Sequence, residues 1–247
     1  MSRYKYFKEI TVPVYDCDPF LKARPSALLR YIQTVSGEHI DSLGLDHKRL
    51  FDEGFVFVVA GTAMKIYRAP MRGEKLQLCT APLEGSGAHM VRETVILSES
   101  GEKLVECQSD WALIEASTNR LLRSSDFPYE LPTLEGEWVP FFDPKKIRIK
   151  PAGEFSADRP VRLCDLDQNM HMNNTVYADI LTDCFGERYI ASDGVDTIFI
   201  RYHLQARMGD ILRLEYGEKD GLFTVGARCG DNRCFEGAFS LKPLATV

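Results

Sequence analysis

Asp167, Asn169 and His171 stand at alternate positions in the stretch DLDQNMHMNNTVYADIL, just ahead of an apolar pattern with helical spacing. A carboxylate, an amide and an imidazole so spaced could activate a water molecule. Unperturbed imidazole titrates at about 6.5 and so can take a proton near neutral pH. An amide holds water through its oxygen and donates through its nitrogen, and a carboxylate can orient either. Asn173 and Asn174 are good cap residues for the helix that follows, whose unpaired N–H groups and positive dipole end suit an oxygen that becomes negative in a transition state. The same loop also reads as Asx turns and an N-cap with no catalysis. Spacing alone leaves both readings open.

Antiparallel sheet is expected to position this loop. GEKLQLCTAPLEG, HMVRETVILSESGEKLVECQSDWALIEAS and GDILRLEYGEKDGLFTVGARCGDNRCFEGAFSLKP read as strands closed by hairpin signals. Two long helical patterns interrupt them. One has Pro25 in its first turn and Leu28, Leu29, Ile32 and Val35 at helical spacing. The other has Val176, Tyr177, Ile180, Leu181 and Cys184. The approaches to these helices superpose at one constant offset, Asp16 on Asp165 and Asp18 on Asp167. Downstream, YRAPMRGEKLQL echoes LQARMGDILRL with Gly73 on Gly209. The pattern predicts a two-layer α+β protein built from one supersecondary unit written twice. The units are expected at 1–127 and 148–247, with a proline-bearing connector at 128–147.

With 247 residues, 45% of them hydrophobic, the chain can bury a conventional core. No apolar run approaches the roughly 20 residues that span a bilayer, and the first residues lack the apolar core of a signal peptide, so the cytoplasm is the expected location. A net charge of −6 argues against non-specific nucleic-acid binding. Seven scattered cysteines without a CxxC pair predict buried free thiols, and neither a metal nor a cofactor is expected. His39 and His47 are expected to be capping or surface residues, and LEGSGAHM a hairpin rather than a phosphate cradle. The absence of GxSxG argues against a serine hydrolase.

DLDQNMHMNNTVY closely resembles the D-x-N-x-H-x-N-N-x-x-Y signature of the acyl-acyl-carrier-protein (acyl-ACP) thioesterases. APMRGEKLQL, WALIEASTNRLLR and FIRYHLQARMGD resemble other stretches of the family, so the likeness runs from about Tyr4 to Pro243. The resemblance implies a tandem double hot-dog fold, in which each unit is an antiparallel sheet wrapped round one long helix. It implies hydrolysis of acyl-ACP to free fatty acid by direct water attack, with Asp167, Asn169 and His171 catalytic and Asn173, Asn174 and Tyr177 touching substrate. An acyl-CoA thioesterase and a non-catalytic acyl-thioester binder are the alternatives. The first unit has Phe20 and Lys22 where the second has Asn169 and His171, so it is expected to supply an acyl pocket rather than a second site. Where the family generally carries a Glu this chain has Gln205, which can position water but cannot take its proton. A basic run, Lys145, Lys146, Arg148 and Lys150, is the expected docking point for an acidic acyl carrier protein. The expected assembly is a monomer or homodimer.

Overall fold

The structure is a computed structural model that describes residues 3–137, 141, 149–151 and 153–244. The expected docking residues Lys145, Lys146 and Arg148 lie outside the described residues. The chain forms two compact units, Met1–Thr62 with Tyr67–Pro144, and Ala63–Ile66 with Lys145–Val247.

In the first unit, strands β1 (Tyr6–Thr11), β2 (Phe55–Ile66, of which the residues up to Thr62 belong to this unit), β3 (Lys75–Pro82), β4 (His89–Ser98) and β5 (Lys103–Glu115) lie in the order β1-β3-β4-β5-β2. Neighbours from β1 to β5 pair antiparallel. Helix α1 (Pro25–Ser42) packs on β3 and β1. Proline suits its first turn, where the missing N–H would find no partner within the helix. Leu28, Leu29, Ile32 and Val35 are buried, and each such side chain is worth about 1.5–3 kcal/mol. His39 continues that buried stripe at 1% exposure, against its expected surface position: the spacing 32, 35, 36, 39 turns it inward. A short helix, α2 (His47–Asp52), follows, and Asp46 caps it. His47 is exposed.

In the second unit, β6 (Phe155–Pro160), β7 (Val195–Tyr202), β8 (Ile211–Lys219), β9 (Leu222–Cys229) and β10 (Asn232–Leu241) lie in the order β7-β10-β9-β8-β6, antiparallel throughout. The expected long helix is instead two pieces, α3 (Val176–Asp183) and α4 (Gly186–Ile190). Phe185 breaks it. Its backbone leaves helical geometry at φ −130°, and its ring packs on Phe223, Phe239 and Tyr216 with centroids at 4.9, 5.7 and 5.4 Å. Burying that ring among three others outweighs one more helical turn. Helix α3 approaches β10 closely at Gly237, where a Cβ would stand 2.4 Å from Leu181 Cδ2.

All seven cysteines are free; Cys79, Cys107 and Cys234 are buried as expected, but Cys164 is exposed. Among the described residues no helix is long and apolar enough to cross a membrane.

Candidate active site

The stretch from Asp165 to Asn173 folds as a tight turn closed by backbone hydrogen bonds. Asp167 N–H donates to His171 O at 2.9 Å, Met170 N–H to Asp167 O at 3.0 Å, and Asn173 N–H to Asp165 O at 2.8 Å. Met170 takes the left-handed conformation, φ 60°, that the reversal needs. The Asp167 carboxylate accepts the Asn169 N–H at 2.8 Å, an Asx turn that fixes the tip. Asp167 therefore shapes the loop. Asn169 is exposed and His171 half-buried, and among the described residues neither side chain has a hydrogen-bond partner.

The neighbouring segment anchors this turn. Met172 N–H donates to Ala206 O at 2.8 Å, and His171 bridges antiparallel to Arg207. Gln205, exposed, precedes Ala206, so it lies within two residues of the position opposite His171. Asn173 closes an Asx turn just ahead of α3, whose N-cap position is Thr175: its Oδ1 accepts the Thr175 N–H at 2.9 Å and the Thr175 hydroxyl at 2.8 Å. Asn174 makes no such turn. Its carbonyl instead accepts the Tyr202 hydroxyl at 3.1 Å. The Tyr177 ring is 2% exposed, packed on Phe235 at 4.6 Å and Tyr202 at 5.6 Å, and burial pushes its phenol well above the usual range.

Beneath the turn lies a buried carboxylate, Asp165, which the sequence marked only as the counterpart of Asp16. Asp165, 5% exposed, accepts from both terminal nitrogens of Arg159, one at 2.6 Å, and from the Arg162 N–H at 2.7 Å. The Arg159 hydrogen bonds hold its carboxyl below the usual carboxylate range against the opposing pull of burial. An arginine six residues before a buried acid was the available signal.

The first unit repeats the frame almost bond for bond. Asp18 N–H donates to Lys22 O at 2.8 Å, Leu21 N–H to Asp18 O at 3.0 Å, and Arg24 N–H to Asp16 O at 3.0 Å. Leu21 has φ 62°, and the Asp18 carboxylate accepts the Phe20 N–H at 2.8 Å. Lys22 bridges to Met71 as His171 does to Arg207.

That unit also holds a cavity of about 210 Å³ between α1, α2, β2 and the β4–β5 pair. Ile40, Leu50, Phe55, Phe57 and Met90 give it apolar walls, while Arg92 and the indole of Trp111 are polar groups on its lining. Neither had been singled out as a pocket residue. Among the described residues, no three His, Cys, Asp or Glu side chains group as a metal site would require.

Two family models cover most of the chain, the acyl-ACP thioesterase N-terminal domain over residues 3–127 and the acyl-ACP thioesterase C-terminal domain over 150–225. A dodecanoyl-[acyl-carrier-protein] hydrolase of Cinnamomum camphora is 22% identical over 234 residues, which is 87% of this chain and 60% of the relative. An acyl-[acyl-carrier-protein] hydrolase of Cuphea viscosissima is 24% identical over 208 residues, 75% of this chain and 48% of the relative. The chain thus spans about half to three-fifths of the length of these curated relatives. The crystal structure of an acyl-ACP thioesterase from Bacteroides thetaiotaomicron superposes with a TM-score of 0.81 at 18% identity, covering 96% of this chain and 97% of that one. The shared fold is the tandem hot dog.

Proposed function

We propose, on the premise that this chain belongs to the acyl-ACP thioesterase family, that it hydrolyses the thioester of acyl-acyl carrier protein to free fatty acid and holo-carrier. In this reading a water held by Asn169 and Gln205 attacks the thioester carbonyl while His171 takes its proton. The carbonyl oxygen becomes negative near the start of α3, and the C–S bond then breaks as the departing thiolate takes a proton from His171. Asp167 keeps the turn in shape. The first unit holds the acyl chain, and its own copy of the turn takes no part in the chemistry.

One observation carries the reading: Asn169 and His171 project from a turn whose closing bonds use neither side chain. Carrier recognition is assigned to Lys145, Lys146 and Arg148, because a chain of net charge −6 can attract an acidic carrier only through a local basic patch. Gln205 in place of a carboxylate favours a second reading, in which the protein binds an acyl thioester without turning it over.

Turnover of matched acyl-ACP and acyl-CoA substrates from about C8 to C18 separates these readings. We expect free acid, released faster from the carrier protein than from CoA. Tight binding without release supports the second reading, and equal or faster release from CoA removes the carrier assignment.

A further inference from the structure

Arg92 is a buried cation with no carboxylate partner among the described residues. It is 5% exposed, and its Nη1 donates to the Thr80 hydroxyl at 3.2 Å and lies 3.0 Å from His39 Nδ1. Burial, then the adjacent guanidinium, pushes His39 down to about 4, so near neutral pH the ring is neutral and its Nδ1 accepts from Arg92. Arg92 itself, lowered by burial to about 10, still carries its charge. A guanidinium held by two neutral groups is an expensive arrangement in an apolar setting.

An unsatisfied donor shares the lining. Trp111 Nε1 is buried and has no hydrogen-bond partner among the described residues. In the β4–β5 register Met90 faces Trp111 and Arg92 faces Ser109, so Arg92 and Trp111 are diagonal neighbours on one face of the sheet. Both residues line the cavity. Neither a guanidinium nor an indole N–H can accept a hydrogen bond, so the pair calls for an acceptor, and the charge calls for an anion. Asp41 on α1 is the one carboxylate of the lining, and it is exposed. The apolar walls call for an alkyl chain. At the roughly 30 Å³ occupied by one water, the cavity admits about seven methylene-sized groups.

We propose that this cavity is a carboxylate-reading site for a fatty acid of about eight carbons, with the carboxylate on Arg92 and Trp111 and the alkyl chain along Ile40, Leu50 and Phe57. A free acid enters carboxylate first, the reverse of an acyl tail that enters methyl first. The site therefore makes free acid, the product class of the proposed reaction, a competitor for the pocket. The inference goes beyond the catalytic reading and does not need turnover to be tested.

Gly37 supplies a clean probe. It lies in mid-helix on the cavity wall, and a Cβ built there meets nothing within 4 Å. Gly37 is exposed, so Gly37→Leu places a bulky side chain at the open wall of the cavity while improving helix propensity, and its Tm should equal or exceed that of the parent chain.

Calorimetric titration of the whole chain with octanoate and with octan-1-ol tests the proposal. Octanoate should bind at least about tenfold more tightly than octanol, because only the anion answers the guanidinium. Trp111→Phe should weaken octanoate about fivefold, the worth of one hydrogen bond, and Gly37→Leu should abolish binding without loss of Tm. Arg92→Lys should keep the charge, lose the fork and weaken octanoate while octanol is unchanged. Equal affinity for octanol and octanoate overturns the proposal, as does octanoate binding indifferent to both Gly37→Leu and Trp111→Phe. A chain that binds octanoate as expected but releases no acid from thioesters refutes the catalytic reading alone.

Discussion

The turns at Asp16–Arg24 and Asp165–Asn173 share backbone bonds, a left-handed residue at the same place and an aspartate that fixes the tip. They differ in which side chains the frame leaves over: Phe20 and Lys22 in one, Asn169 and His171 in the other. A shared backbone is thus no sign of shared chemistry, and Asp167, the member of the trio common to both, is the one whose bond is accounted for by shape. The proposed chemistry therefore rests on the two positions that differ. A second contrast lies beneath. Asp165 is clamped by both terminal nitrogens of Arg159, whereas Asp16 receives one Arg30 nitrogen at 2.5 Å and the Tyr31 hydroxyl at 2.7 Å.

The largest expected effect tests the first contrast. His171→Ala should lower kcat about 100- to 10,000-fold with the fold intact, while Lys22→Ala leaves kcat within about twofold. Steady-state hydrolysis of acyl-ACP, with circular dichroism as the check on folding, decides it. If Lys22→Ala proves the more damaging, the site belongs to the other turn.

The second contrast predicts an unequal loss of stability. Arg159→Met leaves Asp165 buried with a single backbone donor and should cost about 2–3 kcal/mol, whereas after Arg30→Met the Tyr31 hydroxyl still serves Asp16 and the cost should be about 1 kcal/mol. The Asp165 carboxyl is depressed in the folded chain, so its contribution is complete above the ordinary carboxylate range near 4 and disappears as pH falls through the lower folded value. Urea unfolding at pH 7 and pH 3 should therefore show the Arg159→Met penalty shrinking in acid. A penalty independent of pH would assign it to lost packing.

The smallest effect sharpens the proton assignment. With His171 as base, Gln205→Glu favours the imidazolium and withdraws the neutral ring, so kcat at pH 7 should fall about threefold and recover at higher pH. A rise of about tenfold with unchanged KM would give the proton to position 205.

Local rules made much of this molecule legible. Asx chemistry operates within a few residues, which is why Asp16, Asp18, Asp165 and Asp167 revealed the duplicated turn from sequence alone. Pro25 and the 28-29-32-35 spacing marked α1 for the same reason. The break at Phe185 was not legible, because its cause is a ring cluster with Phe223 and Phe239, far along the chain. His39 was misjudged although its spacing carried the information. Arg92 sits at an inward position between Met90 and Thr94, but its meaning depends on Trp111 and His39, brought beside it by strand pairing and helix packing. The candidate loop was legible in kind but not in detail: Asn173 and Asn174 looked equivalent as caps, yet Thr175 takes the N-cap position, Asn173 closes an Asx turn and Asn174 does neither.

Gly237 sets a tolerance. With a Cβ due at 2.4 Å from Leu181, the seat of α3 on β10 is machined to the width of a bare backbone. Helix α3 and the turn bearing His171 are one continuous stretch of chain, so an added methyl at that seat would act as a shim under the helix and tilt the turn at its far end. Misplacement of a reacting group by about 1 Å can cost on the order of a hundredfold in rate. The residue with least chemistry of its own thereby acts as the gauge block against which the proposed catalytic turn is aligned.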